Sequence, residues 1–312
     1  MADLQQLSSS LAPLYRLERE LGHGAMGTVF VADSEEGARV ALKVLSRDLV
    51  AMMTTPEAFV RAIGRVGRVQ HQGLLPFAGA GATPAGDLYY AMSLVEGPTA
   101  RDRLATDGIM SPDAVGELGA RLADAIDAAH EAGLVHGNVA PANIHFSGDR
   151  VLLADLGVYG AMVEGGISGL RINSMLGAPQ YMSPEQLAGR PLDARADVYS
   201  LGATLYEMLT GKPPFGGRTT SVVMASVLAD EPPALTATGS DEPGVVVAAI
   251  LRAIEKAPDD RWSSGAALAR ALRTRAATPP GATALVPKKS LGCLPAVAVA
   301  ALGLAAANAW LR

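Results

Sequence analysis

The pattern of this chain changes once, near Ser111, and that change sets what it can fold into. Before it, short β-branched and apolar runs broken by glycines predict strands at 15–32, 38–45 and 87–95. After it, apolar residues recur at helical spacing over 114–132, 196–210 and 244–254, which predicts helices. Strands grouped first and helices grouped later indicate an α+β chain, with a small β-rich N-lobe at about 15–95 and a mostly helical C-lobe at about 96–275. With 312 residues, 49% of them hydrophobic, the chain is long enough to fill both lobes with a substantial core.

The flanks are different. Residues 1–14 read as an N-terminal extension, and they lack the basic start and apolar run of a signal peptide. Residues 276–290 hold Pro, Gly and Thr without periodicity, which predicts a linker. From 291 to 311 no charge occurs, and a helix of that length reaches about 30 Å, the thickness of a bilayer core. Lys288 and Lys289 precede the segment and Trp310 lies near its far end, so a single-pass helix in the plasma or inner membrane, with the folded domain cytoplasmic, is expected. Pro295 and Asn308 count against insertion, and the alternative is an alanine-rich tail packed on the domain. Ala296, Ala300, Gly303 and Ala307 could line one helix face and favour a homodimer. The net charge of -5 gives no basic surplus for nucleic acid, and the lone cysteine, Cys293, excludes an internal disulfide.

Leu21-Gly22-His23-Gly24-Ala25-Met26-Gly27-Thr28-Val29 has the G-x-G-x-x-G-x-V spacing that lets backbone amides approach phosphates without interference from Cβ. The dinucleotide-binding fingerprint shares that spacing, but it wants a strand before the glycines and a helix opening on them. Here a second strand follows, carrying Val40-Ala41-Leu42-Lys43. Further along stand His136-Gly137-Asn138-Val139-Ala140-Pro141-Ala142-Asn143, Ala154-Asp155-Leu156-Gly157, a segment from Gly177-Ala178-Pro179 to Ser183-Pro184-Glu185-Gln186, and Asp197-Val198-Tyr199-Ser200-Leu201-Gly202.

In this order the segments resemble the bacterial Hanks-type serine/threonine protein kinases, over nearly the whole of 15–275. The resemblance implies a bilobal protein-kinase-like fold, ATP and Mg²⁺ as cofactors, and a protein substrate or partner. It implies that Gly22, Gly24, Gly27, Val29 and Ala41 surround the nucleotide, that Lys43 pairs its phosphates, and that Asn143 and Asp155 hold the metal. It also gives a hinge at Ser93 and Val95 for adenine, Met92 as gatekeeper, and His145 where the family places an aliphatic residue beneath the ring.

The departures carry as much as the matches. Asn138 stands at the family's catalytic Asp, Ala140 at the Lys two residues on, and Ala178 at the Thr that completes the hydroxyl-binding cluster. An amide orients a hydroxyl but has no basic lone pair, and loss of a charged group that acts with it costs rate non-additively, on the order of 10³-fold. Ala62 occupies the position of the Glu that pairs with the nucleotide lysine, between Arg61 and Arg65 of the wrong sign; Asp155 could hold Lys43 instead. Gly137 replaces the loop Arg that reads a phosphorylated activation segment, and Ser168 and Ser174 there are expected to be simply solvated. His136 is expected as a packed core histidine, Glu185 with Arg261 as a buried tie, and Asp197 as a brace for the catalytic-loop backbone. A membrane-tethered pseudokinase is the expectation, with a slow serine/threonine kinase or a nucleotide-free scaffold as the alternatives.

Overall fold

The structure, a computed structural model, describes residues 2–12, 14–233, 235 and 244–274. The expected linker and the apolar 291–311 segment lie outside the described residues. Among those described, no helix is long and apolar enough to cross a membrane.

The N-lobe is an antiparallel sheet of β1 (Tyr15–Gly24), β2 (Gly27–Ser34), β3 (Arg39–Leu45), β4 (Phe77–Ala82) and β5 (Leu88–Ser93), in the order β1-β2-β3-β5-β4. The single run expected at 15–32 is thus a hairpin, turning at Ala25 and Met26 between the paired Gly24 and Gly27. Side chains alternate across a strand, and the alternation sorts them here. Val40, Leu42 and Val44 of β3, with Tyr89 and Ala91 of β5, join Tyr15, Phe30 and Ala32 in an outer core. Helix α1 (Ala2–Leu11) reaches this core through Leu11, so the N-terminal extension covers part of the sheet. The alternate positions, including Lys43 and Tyr90, face the other way, toward the interior shared with the C-lobe.

Two helices follow β3: α2 (Arg47–Ala51) and α3 (Pro56–Gly64). Helix α3 buries Phe59, Ala62 and Ile63, so the position expected to hold a pairing carboxylate is part of an apolar face.

The C-lobe opens with α4 (Ala100–Asp107), started by a capping box between Thr99 and Asp102, and α5 (Pro112–Glu131), whose N-cap Ser111 accepts from the Ala114 amide. The hairpin of β6 (Ile144–Ser147) and β7 (Arg150–Leu153) comes next, then α6 (Val158–Glu164), α7 (Gly169–Leu176) and α8 (Pro184–Leu187). Helix α9 (Ala194–Thr210) is the central one, buried over most of its length, and α5 packs along it. Its N-cap Asp193 accepts from the Arg195 amide, and Gly211 ends it with φ of 79°. Helices α10 (Thr220–Ala229), α11 (Val245–Ala253) and α12 (Gly265–Arg273) complete the lobe, with α11 and α12 packed on α5 and α9.

Candidate functional site

A cleft of about 900 Å³ opens between the two lobes. Gly22, Gly24 and Gly27 of the β1–β2 turn line it with Val29 of β2, Ala41 and Lys43 of β3, Met92, Ser93 and Val95 at and after the end of β5, and Asn143, His145 and Asp155 from the C-lobe. Every residue expected to meet a nucleotide or a metal therefore borders one space. Asn138, Ala140 and Ala178 are not among the residues that line it.

The glycines of the turn do different work. A Cβ on Gly22 or Gly24 would meet nothing within 4 Å, so these two leave the backbone open to a ligand. Gly27 has φ of 141°, and its Cβ would lie 2.0 Å from the Val44 carbonyl oxygen. That residue is glycine because β3 passes too close for anything larger.

The centre of the site is one carboxylate. Asp155 Oδ2 accepts from Lys43 Nζ at 2.8 Å, and Oδ1 accepts from the Tyr90 hydroxyl at 2.8 Å. Both side chains of the Lys43–Asp155 pair are almost wholly buried, 10% and 9% exposed, which makes the pairing obligatory rather than incidental. Burial alone would raise the Asp155 pKa, but the Lys43 charge and the hydrogen bonds from Lys43 and Tyr90 hold it below the usual carboxylate value. Burial and the Asp155 charge push the Tyr90 phenol well up, so it remains a donor. Lys43 and Tyr90 are directly opposite in the β3–β5 register, which is why both reach the same carboxylate. Asp155 has φ of 62°, a left-handed conformation that aspartate tolerates better than bulkier residues.

The loop beside it is held by its backbone. Asp197, fully buried, accepts from the amides of His136 and Gly137, each at 2.8 Å, and from His130 Nε2 at 2.7 Å. His136 is fully buried as well: its Nε2 donates to the Ala154 carbonyl at 2.8 Å and its Nδ1 accepts from the Asn138 amide at 3.2 Å. Burial lowers its pKa against the pull of Asp197, so it stays neutral and structural. Asn143 Nδ2 donates to the Asn138 carbonyl at 2.8 Å, which leaves Oδ1 as its acceptor. Ala140 is buried in the core.

His145 lines the cleft from β6, and its Nδ1 is buried without a hydrogen-bond partner. Burial lowers its pKa against the pull of Asp155 and Asp102, so the ring there is a neutral imidazole.

Past Asp155 the chain folds into α6 and α7 instead of remaining open. Helix α6 packs on α3, and Arg65 donates to Glu164 at 3.2 Å across the junction. The Thr55 amide donates to the Gly165 carbonyl at 3.1 Å, closing the far end of the same contact. Helix α7 is tied down by Asn173, whose Nδ2 donates to the Gln186 carbonyl at 2.6 Å, while Gln186 Nε2 donates to the Gly137 carbonyl at 2.9 Å. Ser168 and Ser174 are both exposed. At its end α7 places Met175 and Leu176 in the wall of the cleft.

Comparison with known proteins settles the family. The protein kinase domain model matches residues 15–273. This chain belongs to the protein kinase family. As a kinase domain it is similar to serine/threonine-protein kinase PknB of Mycobacterium tuberculosis, at 35% identity over 280 residues that cover 88% of this chain and 45% of PknB. It is similar to PknB of Mycobacterium leprae, at 35% identity over 91% of this chain and 46% of that protein. The crystal structure of the M. tuberculosis PknI kinase domain matches with a TM-score of 0.62 at 29% identity, covering 83% of this chain and 94% of that one. The β-rich N-lobe and helical C-lobe are those of a bilobal protein kinase. The chain spans less than half the length of the curated relatives it matches.

Within this kinase fold, three contributions escape a reading of the motifs. Tyr90 on Asp155 follows from strand register, which sets the residue of β5 that falls opposite Lys43. Tyr159 against Gly137, and Met175 and Leu176 at the cleft wall, depend on how α6 and α7 fold back, which no local pattern announces.

Proposed function

We propose that this chain is a pseudokinase, a kinase domain that binds ATP in its interlobe cleft and signals through protein contacts rather than by phosphoryl transfer. The observation that carries the reading is a contrast within a few residues: the cleft keeps Lys43, Asp155 and Asn143, while the adjoining loop presents Asn138 and Ala140 in place of a base and a cation. Asn138 can orient a hydroxyl without taking its proton, and the buried methyl of Ala140 offers no charge to a transferring group. A third alanine, Ala178, removes a hydroxyl from the same family cluster.

The residues present fit ATP. Ser93 and Val95 would hold the adenine, with Met92 and the neutral His145 beside it, and the open Gly22 and Gly24 with Lys43 would hold the phosphates. Asn143 keeps its Oδ1 for a metal ion, whereas both oxygens of Asp155 already accept hydrogen bonds. When bound, ATP supplies a transferable γ-phosphoryl group, and Mg²⁺ supplies charge to neutralise it.

Signalling by shape is supported by the ordered α6 and α7, which present a fixed surface tied to α3 and to the catalytic loop. Residues 291–311 would tether the domain to the membrane from its cytoplasmic side, a reading that rests on their lack of charge and on Lys288 and Lys289. A slow serine/threonine kinase is the second reading, favoured by Asn143, which still braces the Asn138 carbonyl.

Thermal unfolding of the purified chain with and without Mg-ATP tests the proposal. Ligand at 100 times its Kd is expected to add about 2.7 kcal/mol, and Lys43→Ala to remove that gain. An unaltered chain that shows no shift overturns ATP binding and leaves the nucleotide-free scaffold.

A further inference from the structure

Tyr90 does something the catalytic motifs do not assign to it. In the kinase resemblance the nucleotide lysine is held by a carboxylate from α3, and here that position is Ala62, 3% exposed in an apolar core. The structure holds Lys43 by Asp155 instead, and then secures Asp155 from its other oxygen with the Tyr90 hydroxyl. Lys43 Nζ also lies 5.6 Å from the centre of the Tyr90 ring, where the π-face favours a cation.

The consequence is electrostatic. A buried carboxylate facing phosphate oxygens repels them unless a cation stands between, and in a metal-dependent site the divalent ion is that cation. Here an ammonium bonded to Asp155 at 2.8 Å occupies the role, and it has further N–H donors for phosphate. Arg101 adds a second cation to the cleft lining. Magnesium is held through carboxylates and phosphate oxygens, so here it would share Asp155 with a nearly buried ammonium, and the two cations repel each other at that distance.

We infer that this cleft binds nucleotide without needing a divalent cation, because Lys43, held on Asp155 with the Tyr90 hydroxyl at its other oxygen, already supplies the countercharge. Tyr90 is a positioning residue in this arrangement: it acts on the ligand through Asp155 and Lys43. The inference rests on the ATP-binding reading above and specifies how the phosphates are neutralised.

The test is the Kd of ATP for the full chain, measured by calorimetry in excess Mg²⁺ and again in excess EDTA, for the unaltered protein and for Tyr90→Phe. The unaltered chain is expected to bind with Kd values within about threefold of each other in the two conditions. Tyr90→Phe frees Asp155 Oδ1 and is expected to bind about tenfold or more tightly in Mg²⁺ than in EDTA. A purely structural role for Tyr90 would weaken both conditions alike. Binding by the unaltered chain that is lost in EDTA overturns the inference and leaves the ATP reading intact. Equal affinities in the two conditions for Tyr90→Phe overturn the role of Tyr90. Failure to bind in either condition, with cooperative unfolding retained, overturns the ATP reading itself.

Discussion

The ring of Tyr159 fills the space that a side chain on Gly137 would need. A Cβ on Gly137 would lie 2.7 Å from Tyr159 Cγ, and Gly137 has φ of 70°. At its other end the same ring approaches Gly169, whose Cβ would lie 2.8 Å from the Tyr159 hydroxyl. One aromatic side chain from α6 is therefore seated between a catalytic-loop glycine and the first residue of α7. The arginine that the kinase resemblance expects at position 137 and the observed place of Tyr159 exclude each other. Loss of that arginine and the closed arrangement of α6 are two sides of one packing change.

Gly137→Ala is expected to destabilise the chain by about 1–3 kcal/mol, from the left-handed backbone and the contact with Tyr159. Tyr159→Ala added to it removes the clash, so the two changes are coupled by about 0.5–3 kcal/mol in a urea-denaturation double-mutant cycle. Strict additivity would show that the ring and the glycine do not share that space.

Arg261 is a buried charge of the C-lobe. Its side chain is 0% exposed, donates to both Glu185 oxygens at 2.7 and 2.8 Å, and also donates to the carbonyls of Glu255, Arg195 and Lys256. Arg261→Ala strands the buried Glu185, and a loss of about 3–5 kcal/mol in chemical denaturation is expected. A loss under about 1 kcal/mol, the range of a surface pair, would show that the tie is not buried in solution.

Two histidines, one in the cleft wall and one in the loop beside it, give the fold a pH dependence. Burial holds His136 and His145 below the ordinary imidazole value, so each ring stays neutral where the unfolded chain has begun to protonate. Stability is complete above about pH 6.5 and falls progressively below it, because the unfolded state then binds more protons. Asp155, held below the usual carboxylate value, keeps contributing until its own folded pKa is reached at still lower pH. Urea midpoints compared between about pH 7.5 and about pH 5 should fall, and less steeply in His145→Leu. An unchanged slope in that variant would remove His145 from the explanation.

Much of this was legible from the sequence, for a physical reason. Lys43, Asp155 and Asn143 could be placed because the short segments that carry them resemble kinase motifs and follow one another in the same order. The Glu185–Arg261 tie and the Asp197 brace were legible on the same grounds. Tyr90 was not, since its role depends on which residue of a neighbouring strand falls opposite Lys43. Helices α6 and α7 were hidden for another reason: Gly157 and Ser168 at their N-caps make no side-chain cap hydrogen bond, and tertiary packing on α3 and α8 stabilises them instead.

Restoring the hydroxyl-binding cluster tests what was lost. Asn138→Asp, Ala140→Lys and Ala178→Thr together are expected to raise phosphate transfer by on the order of 10³-fold over the unaltered chain. Each single change is expected to do far less, since the groups act as a unit. A triple variant that folds, binds ATP and remains silent would place the block elsewhere, with the closed α6 and α7 as the first place to look.

The most direct measurement is transfer of γ-labelled phosphate from Mg-ATP by the purified full chain, to itself and to a generic protein substrate, with Lys43→Ala as the control. The pseudokinase reading predicts no incorporation above that of the Lys43→Ala protein. Incorporation that Lys43→Ala abolishes would contradict it and make this chain a working kinase with an asparagine at position 138.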